Sequence, residues 1–224
     1  MKLGSKISIL LLAICQNGWA QGFVNLDFEN PILPLTPNGG LLPATNAIPG
    51  WTAYYGSSTN PTLSGPLTTI YYNGYSLGGA IVALQDTNAL SYGAIQGNYS
   101  VLLQGSIPFA AVLASIGETG TIPNTAQSLT FFGILAGNLQ VTFNGQPLSV
   151  MDISNALNYT IWGADISAYA GQTGQLLFTV PVLHAALIDN IQFSSVPIPE
   201  PSLVAFTALG ALFLGFRHWR NSSR

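Results

Sequence analysis

Gly74-Tyr75-Ser76-Leu77-Gly78 has the G-x-S-x-G spacing that sets a serine hydroxyl on a sharp strand-to-helix turn as a nucleophile. Asp152 or Asp165, followed by His184, completes the chain order Ser, Asp, His. In acyl transfer such an imidazole takes the serine proton while the carboxylate holds the ring. The same string has a second reading, with Gly74 and Gly78-Gly79 as turn and bend residues between strands. His184 is the only histidine between residues 21 and 198, which excludes a zinc site of two imidazoles from the body of the chain. The acids are scattered and show no paired-carboxylate arrangement for glycoside hydrolysis. A second chemistry rests on aromatic rings. Trp51, Tyr54, Tyr55 and Tyr72 are the leading candidates for stacking on sugar C–H faces, with Tyr71, Tyr75 and Trp162 beside them. Adjacent Tyr pairs on a strand must direct one ring to each side, and core packing is the alternative for each ring.

The elements that have to position these residues are strands. From Gln21 to Ser195 short alternating runs are broken by Gly, Pro, Asn and Ser, with no helical periodicity running to about twelve residues. In the opening run Val24 to Glu29, the residues Val24, Leu26 and Phe28 alternate with Asn25, Asp27 and Glu29. Further runs are Thr68 to Tyr72, Ile81 to Gln85, Tyr99 to Gln104, Ser128 to Gly133, Tyr159 to Trp162, Gln175 to Val180 and Leu187 to Phe193. Leu139 to Phe143 and Gln146 to Val150 flank Asn144-Gly145, a type I′ hairpin signal. Asp165 to Gly171 interrupts the alternation, with Asp165 placed to cap one helical turn and Gly171 to end it. The pattern predicts an all-β, antiparallel β-sandwich of the jelly-roll kind over residues 21–195. A nucleophile elbow needs a strand–helix alternation that is missing here, so a small secreted esterase using Ser76, similar to the lipase version of the motif, is the alternative reading and a non-enzymatic protein the leading one.

Charge divides the chain into a body and two ends. All five basic residues, Lys2, Lys6, Arg217, Arg220 and Arg224, lie near the termini, and residues 21–198 hold seven acids and no Lys or Arg. Nucleic acid is excluded as a partner by the lack of a basic surface, and phosphate-loop chemistry by the lack of a lysine. Residues 1–20 read as a secretory signal peptide: Lys2 and Lys6, an apolar run Ile7 to Ile14, then small residues ending at Ala20, the expected cleavage site for signal peptidase. Cleavage there removes Cys15, the single cysteine. Residues 196–224 carry Pro199-Glu200-Pro201, an apolar stretch Leu203 to Phe216, and a basic tip with Arg217 and Arg220 as membrane-stop residues. Fourteen apolar residues span about 21 Å as a helix, which snorkelling arginines and Trp219 extend towards the roughly 30 Å hydrocarbon layer.

This C-terminal order of tripeptide, short apolar helix and arginine cluster resembles the PEP-CTERM sorting signal of Gram-negative bacteria. The resemblance implies an exosortase as partner, Pro199, Glu200 and Pro201 as its recognition element, a transient inner-membrane intermediate, and delivery to the cell surface or the exopolysaccharide matrix. The body is similar to secreted PEP-CTERM proteins with a jelly-roll domain like that of galactose-binding and carbohydrate-binding modules. Leu26-Asp27-Phe28-Glu29-Asn30-Pro31, Ile48-Pro49-Gly50-Trp51, Gly97 to Val101, the Asp165 to Gly171 turn and Ile188 to Phe193 carry that likeness. It implies association with exopolysaccharide, and a structural Ca²⁺ held by Asp27, Glu29 and Asp189 on the first and last strands. Solvated or hydrogen-bonded acids at sheet edges are the alternative, as is a purely structural surface role.

Overall fold

The computed structural model describes residues 22–34, 40–90 and 92–198. The expected signal peptide with Ala20, the Pro199-Glu200-Pro201 element and the tail with Arg217 and Arg220 lie outside them. Among the described residues no helix is long and apolar enough to cross a membrane.

Fourteen strands follow in order: β1 (Gly40–Pro43), β2 (Thr52–Ser57), β3 (Asn60–Ser64), β4 (Thr69–Tyr72), β5 (Ile81–Asp86), β6 (Tyr99–Gln104), β7 (Leu113–Thr121), β8 (Ser128–Ile134), β9 (Gln140–Phe143), β10 (Gln146–Pro147), β11 (Met151–Asn155), β12 (Thr160–Asp165), β13 (Thr173–Val180) and β14 (Ala185–Ser194). They form two sheets, ordered β1-β4-β5-β6-β14-β8-β12-β11 and β10-β9-β13-β7-β2-β3. Every strand pair is antiparallel except β4 with β5. The chain is the expected β-sandwich.

Alternation explains the core between the sheets. Ile70, Tyr72, Val82, Leu84, Val101, Leu103 and Ile188 point inward from the larger sheet towards Ala53, Ile116, Val141 and Phe178 of the smaller one. The larger sheet is also covered on its outer face. There Ile81, Ala83, Leu102 and Leu187 form a second cluster beneath Tyr92 and Ile95 of the β5–β6 loop. This two-sided burial is why Ile81 to Gln85 reads as a continuous apolar run.

One predicted strand is absent. Val24 to Glu29 is a turn, with Asn25 at φ 49° and Phe28 at φ 55°. The Asn25 side chain donates to Pro49 O at 3.0 Å and accepts from Asn30 N at 3.1 Å. Its own carbonyl takes the Trp51 indole N–H at 3.2 Å. An asparagine whose amide binds nearby backbone competes with a ladder, so the segment folds across one end of the sandwich and buries Phe28 completely. The hairpin at Asn144 (φ 49°) and Gly145 (φ 77°) matches its signal. After β12 comes a 3₁₀ turn at Ser167–Tyr169, where Ser167 N–H donates to Asp165 Oδ1 at 2.8 Å, and Gly171 follows at φ 75°.

The register defines two ends. At the upper end β5 starts at Ile81 opposite Gln104, where β6 stops and β14 starts at Ala185. At the lower end β5 stops at Asp86 opposite Tyr99. Asp86, Glu118, Asp165 and the Asp27–Glu29 turn lie towards the lower end, Asp152 and Asp189 lie mid-strand, and no acid lies in the upper loops.

Candidate functional site

The segment after β4 turns back over the outer face of the larger sheet. Two glutamines hold it there: Gln85 Nε2 donates to Gly74 O at 2.7 Å and Gln104 Nε2 to Ser76 O at 2.6 Å. Gln85 is 1% exposed, so its amide has no water to fall back on. The held segment, the β6–β7 loop and the β13–β14 loop meet at the upper end. Ile107 N–H donates to Gly78 O at 2.9 Å and Leu183 N–H to Ser106 O at 2.9 Å.

Together these loops enclose a cleft of about 420 Å³. Ser76, Gln104, Ser106, Tyr75, Tyr92 and His184 supply its polar atoms, and Leu77, Ile107, Leu135 and Leu183 also line it. Ser76 and His184, distant in sequence, therefore share one site. The third member of the triad does not join them. Among the described residues no carboxylate lines the cleft: Asp165 sits at the lower end, its Oδ1 bound by Ser167, and Asp152 is on edge strand β11. The Ser76 hydroxyl oxygen accepts from Gly79 N–H at 2.7 Å and Gly78 N–H at 3.2 Å, and the string leads into β5 rather than a helix. It is a serine turn, so the nucleophile-elbow geometry is corrected.

The polar groups of the cleft fall into two kinds. Gln104, Ser106 and Ser76 are used in holding the loops, since Ser106 Oγ donates to Ile107 O at 2.9 Å and accepts from Val112 N–H at 2.9 Å. Among the described residues no side-chain hydrogen bond is made by Tyr75, Tyr92 or His184. Three rings whose polar tips make no hydrogen bond to a described residue thus line the cleft, and among the described residues no carboxylate, Lys or Arg joins them.

The sugar-stacking residues expected from sequence lie elsewhere. Trp51 is 3% exposed, its ring 5.5 Å from Phe28 and 6.0 Å from Phe178. Tyr72 is 4% exposed and its hydroxyl donates to Asp86 Oδ2 at 2.6 Å. Tyr55 packs against the core, where burial raises its pKa. Tyr54 is half-buried with Gly65 against its ring. Neither Trp51 nor Tyr72 offers a face to a sugar, because the inward step of the pleat commits it to the core. Tyr71, outward on β4, is exposed, and Trp162 is partly buried with an unpartnered indole N–H. Tyr75 was only a secondary candidate, and Tyr92 carried no signal beyond being aromatic in a loop.

The three acids of the calcium expectation accept hydrogen bonds from the protein. Among the described residues no three His, Cys, Asp or Glu side chains form a group able to hold a metal. Glu29 Oε1 accepts from Asn98 N at 2.7 Å and Tyr99 N at 2.9 Å, and its Oε2 from Asn98 Nδ2 at 2.9 Å. Asp189 Oδ2 accepts from Gln96 N at 2.9 Å and Ser100 Oγ at 2.8 Å, and its Oδ1 from Asn190 N at 2.6 Å. Asp27 Oδ1 takes Glu29 N at 3.3 Å. Oxygens ringed by N–H and O–H donors are poor cation ligands, and these acids tie the N-terminal turn and the β5–β6 loop to the sheet. Burial pushes Asp189 up to about 6 even so. At Asp86 burial also pushes upward, but hydrogen bonds led by Tyr72 outweigh it and hold the carboxyl low.

A larger hollow of about 590 Å³ at the lower end is lined by Met151, Asp165, Tyr169 and Ile198.

No protein-family model matches the sequence, and no curated protein matches it. Similar solved structures include a Stig cyclase, Fisc, from Fischerella sp. TAU in complex with (3Z)-3-(1-methyl-2-pyrrolidinylidene)-3H-indole, at 15% identity and TM-score 0.48, covering 80% of this chain and 98% of that one. They also include the family 11 carbohydrate-binding module from Clostridium thermocellum in complex with a β-1,3-1,4-mixed-linked tetrasaccharide, at 10% identity and TM-score 0.34, covering 73% and 99%. At such scores neither match bears on what this chain binds or does.

Proposed function

We propose that this chain is an exported, non-enzymatic surface or matrix protein whose sandwich contacts neutral polysaccharide through the upper cleft. The carrying observation is the trio Tyr75, Tyr92 and His184, which line the cleft with polar atoms that make no hydrogen bond to a described residue. Rings of this kind pack on sugar C–H faces and their tips bond hydroxyls. The cleft is lined by no carboxylate, Lys or Arg, which suits an uncharged glycan better than a polyanion.

Sorting by an exosortase, with Pro199, Glu200 and Pro201 recognised and the tail briefly in the inner membrane, belongs to the same proposal and rests on the order of the C-terminal signals. A geometric fact supports it. Ser128 Oγ donates to Val196 O at 2.7 Å, so the chain leaves the body near the lower end, opposite the cleft. A membrane anchor following that exit leaves the cleft facing outward.

The test is affinity electrophoresis of the protein in gels of neutral polysaccharides. Tyr75→Ala is expected to weaken retention about tenfold, a stacking loss of ~1.5 kcal/mol. Retention unchanged in that variant would count against the cleft. Turnover of p-nitrophenyl esters that Ser76→Ala abolishes would favour the hydrolase instead, since Ser76 shares the cleft with His184. Mass spectrometry of the mature C-terminus tests the sorting step.

A further inference from the structure

The polar floor explains hydroxyl recognition and leaves the rim without a role. Leu77 is 93% exposed, Leu183 65%, Leu135 59% and Ile107 44%, and all four line the cleft. Leu135 also lines a neighbouring hollow of about 300 Å³, whose wall includes Leu157, 98% exposed. Four aliphatic side chains from separate loops around one neutral cleft, with Leu157 in the adjoining hollow, are unlike scattered surface leucines, and they frame the polar groups of the cleft with apolar surface. Each is costly in water, yet none is needed for the core: the packed clusters beneath are complete without them.

A bare glycan meets these side chains with ring C–H groups set among hydroxyls and offers no methyl group. A glycan carrying ester-linked acyl groups offers methyl groups at the height of the rim, while its ring and free hydroxyls meet Tyr75, Tyr92 and His184 below. Uncharged acyl esters also match a cleft without a carboxylate, Lys or Arg, where a sulfated, uronic or phosphorylated sugar finds no cation to pair with. We infer that the cleft selects neutral polysaccharide that is O-acylated, with Leu77, Leu135 and Leu183 as the specificity-determining residues. This rests on the glycan reading of the same cleft and adds the acyl requirement.

The experiment measures retention of the mature protein, as recovered from expressing cells, in gels of β-1,3-1,4-glucan, glucomannan and galactomannan, each in bare and chemically O-acetylated form. Burying one acyl methyl between leucines is worth about fourfold in affinity, so the acetylated form of a bound polymer is expected to retain the protein at least fourfold more tightly. The double substitution Leu77→Ser and Leu183→Ser is expected to bring the ratio of retention on acetylated to bare polymer down to about one, and its melting curve checks that these exposed positions leave the fold intact. Leu77→Asn alone gives a second, milder variant. Equal retention on bare and acetylated polymer, with both weakened by Tyr75→Ala, overturns the acyl inference and leaves the glycan reading standing. A preference for acetylated polymer that persists in the serine variant overturns the assignment of the rim. No retention on any polymer in either form overturns both.

Discussion

Glu118 points from β7 into the closed lower end of the core, where Val24 N–H donates to its Oε1 at 2.8 Å and its Oε2 is buried without a partner. Burial pushes this carboxyl from 4.5 up to about 7, against the lowering effect of the Val24 bond. Asp189 is pushed by burial in the same direction. Both groups hold a proton in the folded state that the unfolded chain has already released, so their stabilising effect is complete below the ordinary carboxyl range and is lost as pH rises towards 7. For Glu118 the loss is on the order of 2 kcal/mol. The urea midpoint is expected to fall between pH 4.5 and 7, the window set by Glu118. Glu118→Gln keeps the acceptor for Val24 and carries no charge, and it should flatten much of that fall. A midpoint that declines equally in the variant would show that Glu118 is not the cause. Asp86 and Asp165, both held low, act in the opposite sense and lose their contribution only as pH drops through the acid range.

The segment 74–80 is a cover without regular structure, fixed to the larger sheet by two side-chain amides. Gln104→Ala removes its bond to Ser76 O and strips the cleft of one wall, for an expected loss of about 1–2 kcal/mol in urea unfolding together with loss of glycan retention. Retention that survives the substitution would mean that the segment needs no such clamp. The β9–β10 hairpin depends on two left-handed residues, Asn144 and Gly145, and the Asn144 side chain also accepts Gln175 N–H at 3.0 Å. Gly145→Val forces a β-branched residue to φ 77° and should cost about 1–2 kcal/mol in the same measurement. That hairpin was legible because its turn chemistry is local. β7 was not: Leu113 to Thr121 is rich in Gly, Ser and Ala and carries Glu118, which reads as a loop. It is a strand because β2 and β13 pair with it on both sides, and Gly120 leaves the room that Phe23 fills. Val24 to Glu29 failed in the other direction, because alternation there was outweighed by the local hydrogen bonds of Asn25.

The whole body is polarised, with acids at the lower end and mid-strand and an uncharged, aliphatic upper end. Since the described residues contain no Lys or Arg, every charge–charge interaction among the carboxylates is repulsive. Raising salt from about 10 mM to about 150 mM shortens the screening length from ~30 Å to ~8 Å, so the thermal midpoint at pH 8 is expected to rise by a few degrees. A midpoint that falls with salt would contradict this arrangement. The same polarity gives the molecule a direction: the chain leaves near the acidic end, and the cleft opens at the other.

The charge inventory, the β class, the strands with strong alternation and the Asn144-Gly145 turn could be read from the residues alone, because these depend on composition and on neighbours a few residues apart. Ser76 and His184 stood out in the same way, and Tyr75 as a possible sugar contact. Long-range packing was needed to show that Trp51 and Tyr72 are core, that Glu29 and Asp189 are bound by backbone N–H groups, and that Ser76 and His184 line one cleft with no acid among the described residues. Strand periodicity says which residues share a face. Which face is covered, and by which loop, follows from the long-range pairing of β5, β6 and β14, which brings three distant loops to one end and builds the cleft there.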